Sequence, residues 1–224
     1  PSNMRGTPHA QRVAHPGMPI APRRRTMHSL DSHLAGRTLI LVSNREPYEH
    51  LSSDAGSDGA ADQARVRRPA GGLVSALDPT MRRTHGTWVA WGSGPGDRGA
   101  ADADGRLMVP PEEPAYTLRR VWLDDADVDG YYLGFANSAL WPLCHMLVQH
   151  YDYRAEYWER YAAVNARFAD AAADEALRAD GDPVVWIQDY HLALAPAMLR
   201  ARLAERGSER GGARPAFIHQ FWHI

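Results

Sequence analysis

The chain has 224 residues, 44% hydrophobic and 23% charged, the composition of an ordinary globular protein with room for one large domain or two small ones. Its 25 basic residues, all Arg, nearly balance 27 acidic ones, and a net charge of −2 argues against nucleic acid or a membrane surface as the main partner. A single cysteine, Cys144, excludes an internal disulfide framework, and no apolar run approaches the roughly 20 residues that span a bilayer.

Residues 1–36 are rich in Pro, Arg and His without apolar periodicity, and read as a disordered Arg/Pro-rich extension. No apolar segment follows the arginines at 23–25, so a secretory signal is not indicated and a cytoplasmic location is expected. TLILVSNREP (38–47) predicts a strand covered on both faces, then a loop. Polar, Gly-containing residues 48–70 read as a mobile loop. GGLVSALDPTMRR (71–83) predicts a helix opened by a Gly-Gly turn, and GTWVAWGSGPG (86–96) a strand with a glycine-rich loop after it. Residues 97–115 read as loop, and YTLRRVWL (116–123) as a strand.

The aromatic stretch YYLGFANSALWPLCHML (131–147) predicts helix broken at Pro142. Tyr157, Tyr161, Val164, Phe168 and Ala172 mark a long helix over 155–179. GDPVVWIQDYH supplies another buried strand, LALAPAMLRARLAERG (192–207) an amphipathic helix ending at Gly207, and ARPAFIHQFWHI a last strand. That last strand carries no closing turn or cap, which reads as the interior of a longer protein. The alternation of strands and helices predicts an α/β fold with a mainly parallel, Rossmann-like sheet flanked by helices.

In such sheets ligands collect at the carboxyl ends of the strands. The strand ends supply SNR (43–45), WGSG (91–94), QDYH (188–191) and HQFWH (219–223), with Gly71, Gly72 and the aromatic block Tyr131–Trp141 between them. A guanidinium, a carboxylate, imidazoles, indoles and a bare Gly-Gly helix start suit a phosphorylated sugar. Arg grips phosphate, Asp accepts from hydroxyls, and open backbone N–H groups receive an anion. Each piece also has a plainer reading. Arg45 could serve a surface ion pair and Gly71–Gly72 a tight turn. Tyr132 and Trp141 could be core aromatics, Asp189 a helix cap, His223 a buried satisfied histidine and Cys144 a core residue. Asp189 and His191 find no third ligand for a metal, so no metal or other cofactor is expected.

Taken in order, LVSNREP, RPAGGLVSALDP, TWVAWGSG, YYLGFANSALWPLCH, VVWIQDYHLALAPAMLR and FWHI resemble the trehalose-6-phosphate synthase family over residues 38–224. The resemblance implies the N-terminal, acceptor-side half of a GT-B fold over 37–224, incomplete at its C-terminus. It implies transfer of glucose from UDP-glucose or a related nucleotide sugar to glucose 6-phosphate, with retention and no covalent glycosyl-enzyme. Carried over residue by residue, Arg45 grips the acceptor phosphate, and Tyr132, Trp141 and Asp189 hold the acceptor with Trp91 beside it. Gly71 and Gly72 meet the donor diphosphate, and His223 approaches the donor glucose. Asp189 and His223 are the catalytic candidates. No nucleic acid or membrane partner is implied, and a homo-oligomer is compatible with the sequence.

Three residues depart from the family pattern. Gln188 stands where relatives carry His, Trp222 where they carry Leu, and Glu46 lies beside the phosphate arginine where many carry an apolar residue. These leave two alternatives standing: a sister enzyme with another acceptor such as glycerol 3-phosphate, and a non-catalytic sugar-phosphate-binding regulatory domain.

Overall fold

The computed structural model describes residues 34–51, 66–209 and 215–223. The expected disorder of the head lies outside these residues up to position 33. Leu34 already packs against the core.

The strands are β1 (Arg37–Ser43), β2 (Glu49–His50), β3 (Val66–Arg67), β4 (Thr87–Trp91), β5 (Arg106–Val109), β6 (Tyr116–Val121), β7 (Asp182–Gln188) and β8 (Phe217–Phe221). The main helices are α1 (Gly72–Thr84), α2 (Asp97–Ala100), α3 (Asp125–Asp127), α4 (Trp141–Cys144), α5 (Ala155–Arg178) and α6 (Ala195–Glu209). Six strands form one sheet in the order β5-β6-β4-β1-β7-β8. All neighbours are parallel except β5, which runs antiparallel to β6.

The central strands are near-continuous apolar runs because both faces are covered. On one face Val42, Val89, Val185 and Ile187 pack against Tyr161, Phe168 and Ala172 of α5 and Leu199 of α6. On the other, Leu39, Leu41, Trp88 and Leu118 pack against Val74 and Met81 of α1. The mainly parallel, Rossmann-like sheet flanked by helices is therefore the observed architecture. From β1 the chain moves outward through β4 to β6, then returns to the other side of β1 with β7 and β8. The order reverses between β1 and β7, and a crevice opens beyond their carboxyl ends.

Four local expectations are corrected. The stretch 48–70 is not all loop: Glu49 and His50 pair antiparallel with Arg67 and Val66, and Tyr48, Glu49 and His50 are buried. The stretch 97–115 contains β5, recruited to the sheet edge by Tyr116–Arg119 of β6 despite its weak strand pattern. Pro142 does not break the helix. A continuous helical path runs from α3 through a π-helix (Val128–Leu140) into α4, where Pro142 occupies the first turn. Proline cannot donate to the carbonyl of Ser138 four residues earlier, and that oxygen takes the Asp152 N–H at 2.8 Å instead. Finally, α6 is preceded by a separate 3-10 turn (Tyr190–Leu192) and continues two residues past Gly207.

Candidate active site

The β1–β7 register sets Val42 opposite Ile187, so the next residues of both strands meet at the crevice. A cleft of about 440 Å³ opens there, lined by Asn44, Arg45, Gly72, Gln188, Asp189, His191 and His223 among others. A second cleft, about 240 Å³, adjoins it through Asn44 and Arg45 and is walled by Trp91, Tyr132, Ser93, Glu46 and Glu49. One of the plainer readings falls here: His223 is exposed at the cleft instead of buried in the core. Another holds in part, because Tyr132 is half-buried, packs against the core and also walls the second cleft.

The end of β1 is stiffly braced. Ser43 Oγ donates to the Arg45 carbonyl at 2.6 Å and accepts from Trp88 Nε1 at 2.8 Å. Asn44 Oδ1 accepts from Tyr131 at 2.9 Å. Glu46 turns inward instead of neutralising Arg45: it is 4% exposed, accepts from the Ser93 N–H at 3.1 Å, and forms an ion pair with Arg120. Arg120 is fully buried and also reaches Asp97 at 2.6 Å and the Tyr48 carbonyl at 2.7 Å. Burial lowers its pKa to about 9, still high enough to keep the guanidinium charged near neutrality. With Glu46 so engaged, the Arg45 side chain is exposed and has no ion-pair partner among the described residues. A free guanidinium at the junction of two clefts is a site for an anion.

The end of β7 is different. Asp189 has φ 74° and ψ 165°, backbone space that costs a non-glycine residue roughly 1–3 kcal/mol. The neighbouring strand holds it there. The Asp189 N–H donates to the Phe221 carbonyl at 2.7 Å, and Gln220 Nε2 reaches the Asp189 carbonyl at 3.3 Å. The capping reading holds in part, because the carboxylate accepts from the Tyr190 N–H at 2.9 Å. The carboxylate still borders the cleft.

His191 stacks between Tyr132 and Tyr190, with ring centroids 5.3 and 4.1 Å away. Burial pushes its pKa down to about 4, Asp189 opposes that shift, and Arg45 adds to it, so the imidazole is neutral near pH 7. Tyr190 is pushed up to about 12, first by burial and then by Asp189.

The helix start is open. Gly71 precedes α1 with no side-chain cap, and a Cβ added at Gly71 or Gly72 would meet nothing within 4 Å. The site-facing backbone therefore needs no glycine for want of space; bareness is what the two residues contribute. Two candidates line neither cleft: Gly71, which adjoins the lining residue Gly72, and Trp141. The Trp141 ring stacks on His145 at 4.0 Å, and the residue is 38% exposed. Cys144 is partly buried, and burial followed by the Asp189 charge raises its pKa, the opposite of an activated nucleophile. Among the described residues no group of three or more His, Cys, Asp or Glu could hold a metal ion.

Asn44, Ser93 and His191 belong to the clefts but were not among the candidates. Each stands inside a quoted motif, SNR, WGSG or QDYH, and that adjacency is the signal that could have found them.

A Rossmann-like sheet with its polar groups at the switch point, matched by solved glycosyltransferases, defines the chain as part of a GT-B glycosyltransferase fold. The family model described as glycosyltransferase family 20 matches residues 37–224, and the chain belongs to that family.

Among curated relatives, it is 44% identical over 161 residues to a trehalose-6-phosphate synthase of Mycolicibacterium gilvum, covering 72% of this chain and 30% of that protein. It is 41% identical over 170 residues to the same enzyme of Mycolicibacterium vanbaalenii, covering 76% and 32%. An alpha,alpha-trehalose 6-phosphate synthase of Burkholderia multivorans superposes with a TM-score of 0.55 at 29% identity, covering 84% of this chain and 33% of that one. A UDP-forming synthase of Burkholderia xenovorans in complex with glucose-6-phosphate does so with a TM-score of 0.55 at 28% identity, over the same shares. An E. coli structure bound with UDP-2-fluoro glucose gives a TM-score of 0.53 at 27% identity, again over 84% and 33%. The chain thus spans about a third of the length of the relatives it matches.

Proposed function

We propose that the chain is the acceptor-side portion of a cytoplasmic trehalose-6-phosphate synthase. The complete enzyme moves glucose from UDP-glucose, or another nucleotide-glucose, to glucose 6-phosphate with retention. The observation that carries this reading is Arg45: an exposed guanidinium freed of Glu46 by Arg120, at the junction of two clefts on the switch-point rim. Arg45 holds the acceptor phosphate, with Trp91 and Tyr132 as walls for the sugar ring. Asp189, partly exposed and fixed by β8, accepts from a sugar hydroxyl. The bare N–H groups at Gly71 and Gly72 face the donor diphosphate, favoured by the amino end of a 13-residue helix, and His223 lies beside the transferred glucose.

The described residues contain no pair of carboxylates flanking the larger cleft in the glycosidase manner, since Asp189 is the acidic residue on its wall. A front-face transfer needs none: the acceptor hydroxyl attacks as the nucleoside diphosphate departs, and the protein contributes orientation and charge stabilisation. The relatives' names favour this reading over the sister-enzyme and sensor alternatives.

The test is incubation of the full-length protein with UDP-glucose and a panel of phosphorylated acceptors, reading products by mass. Trehalose 6-phosphate is the expected product, formed from glucose 6-phosphate in preference to glycerol 3-phosphate. The 224-residue chain alone is expected to give no turnover. A different product, or binding without turnover, overturns the reading.

A further inference from the structure

The four residues of QDYH do not share one environment. Tyr190 donates to Asn137 at 3.1 Å, and Asp189 accepts from the Tyr190 N–H. Gln188 is 5% exposed, lines the larger cleft, and its Oε1 is buried without a hydrogen-bond partner among the described residues. A few residues on, His191 Nε2 is buried on the same cleft wall and is also unpaired. Its Nδ1 stands 3.9 Å from Asp189 Oδ2, beyond hydrogen-bond reach.

Native proteins rarely leave buried polar atoms unmet, because each carries its full desolvation penalty. Two on one wall of one cleft, beside an open helix start, point to a partner that arrives with the ligand. An amide offers one acceptor oxygen and two N–H donors, the complement of a hydroxyl that both gives and receives. A leucine or methionine at 188 would fill the same volume without desolvating anything, so packing alone does not call for glutamine.

We propose that the Gln188 amide determines specificity for the sugar in this cleft by hydrogen bonding directly to one of its hydroxyls. The inference rests on the reading of the protein as a glucosyltransferase and goes beyond it in assigning the residue that departs from the family pattern. His191, neutral and stacked between two tyrosine rings, completes the wall. A histidine at 188 would present a single ring nitrogen at a different depth. The choice of glutamine therefore selects which hydroxyl is read.

The experiment uses the full-length enzyme with two variants, Gln188→Met and Gln188→Glu. Each is assayed with UDP-glucose and glucose 6-phosphate, then with singly deoxygenated versions of each sugar, alongside thermal unfolding. Wild-type enzyme is expected to lose roughly ten- to a hundredfold in kcat/KM with one particular deoxy sugar, as for loss of a hydrogen bond to a buried polar group. Gln188→Met is expected to lose a similar factor with the complete sugars and nothing further with that deoxy sugar.

Its thermal midpoint should be equal to or above wild type, since an unmet amide is removed. Gln188→Glu, isosteric and still an acceptor, should retain more activity than Gln188→Met. Three results overturn the proposal: equal sensitivity of variant and wild type to every deoxy sugar, unchanged kinetics in both variants, or a lowered midpoint that accounts for the lost activity. Wild-type enzyme that turns over none of these sugars defeats the glucosyltransferase reading itself, which separates the two failures.

Discussion

The carboxyl ends of β1 and β7 lie side by side and are built in opposite ways. After β1, Ser43, Asn44 and Glu46 are each tied to partners, and the chain continues through the buried Arg120–Asp97 cluster. After β7, Asp189 sits in strained backbone, and Gln188 Oε1 and His191 Nε2 have no partner among the described residues. One end is a brace built on buried ion pairs, Glu46–Arg120 and Arg120–Asp97. The other is a surface whose polar groups are left for something else. Arg45 is the exception on the braced side, and the brace explains it: by engaging Glu46, Arg120 leaves Arg45 free.

The contrast breaks first at the brace. Arg120→Met leaves Glu46 and Asp97 buried without their common cation, and should cost roughly 3–5 kcal/mol of stability. Urea unfolding of the chain measures it, and a loss under 1 kcal/mol would show that the cluster is not a brace.

A second effect comes from His191. Its folded pKa of about 4 lies below the ordinary unfolded value near 6.5, so the unfolded state binds more protons between these values. Stability should therefore rise with pH from about 4 to 6.5 and be flat above, by up to roughly 3 kcal/mol in all. Asp189, which favours the charged ring, and Arg45, which opposes it, are the groups facing it. In His191→Gln that part of the pH dependence should vanish; an unchanged profile removes His191 from the account.

Arg45→Ala in the full-length enzyme sharpens the comparison from the other direction. Loss of a charge-assisted phosphate contact should lower kcat/KM for glucose 6-phosphate by roughly 1.5–3 kcal/mol, about ten- to 150-fold, with the unfolding midpoint unmoved. Intact acceptor kinetics would remove the phosphate assignment.

The smallest expected effect is at Asp189→Gly. Relief of the backbone strain, less the extra chain entropy of glycine, should leave stability unchanged or about 1 kcal/mol higher while activity falls. A clear loss of stability would mean that the carboxylate's bond to the Tyr190 N–H outweighs the strain.

Much of the fold was legible in the residues. TLILVS, TWVAW and PVVWIQ are continuous β-branched and aromatic runs, which only a doubly covered parallel sheet buries well, and α5 announced itself through Tyr161, Val164 and Phe168. Weak patterns failed where tertiary contacts decided. RLMV of β5 is a strand because β6 offers an open edge, and Glu49–His50 is paired because Asp97 and Arg67 anchor it. The site was half legible. Arg45, Asp189 and His223 meet at one cleft as their strand-end positions implied, with Gly72 of the α1 start beside them. Trp141, carried over from the family resemblance, lines neither cleft: it follows the π-helix (Val128–Leu140), and its ring stacks on His145.

By itself, then, the sequence determined the alternation of elements, the parallel sheet and the collection of polar motifs at strand ends, since hydrophobic period and turn chemistry are local properties of the chain. Only the tertiary structure decided which of those polar groups are spent on each other and which are left over. Glu46 meets Arg120 from 74 positions away, and Asp189 is held in its strained conformation by β8, 32 positions later. Pairing between distant residues is a property of the packed fold, and it separates a brace from a binding wall.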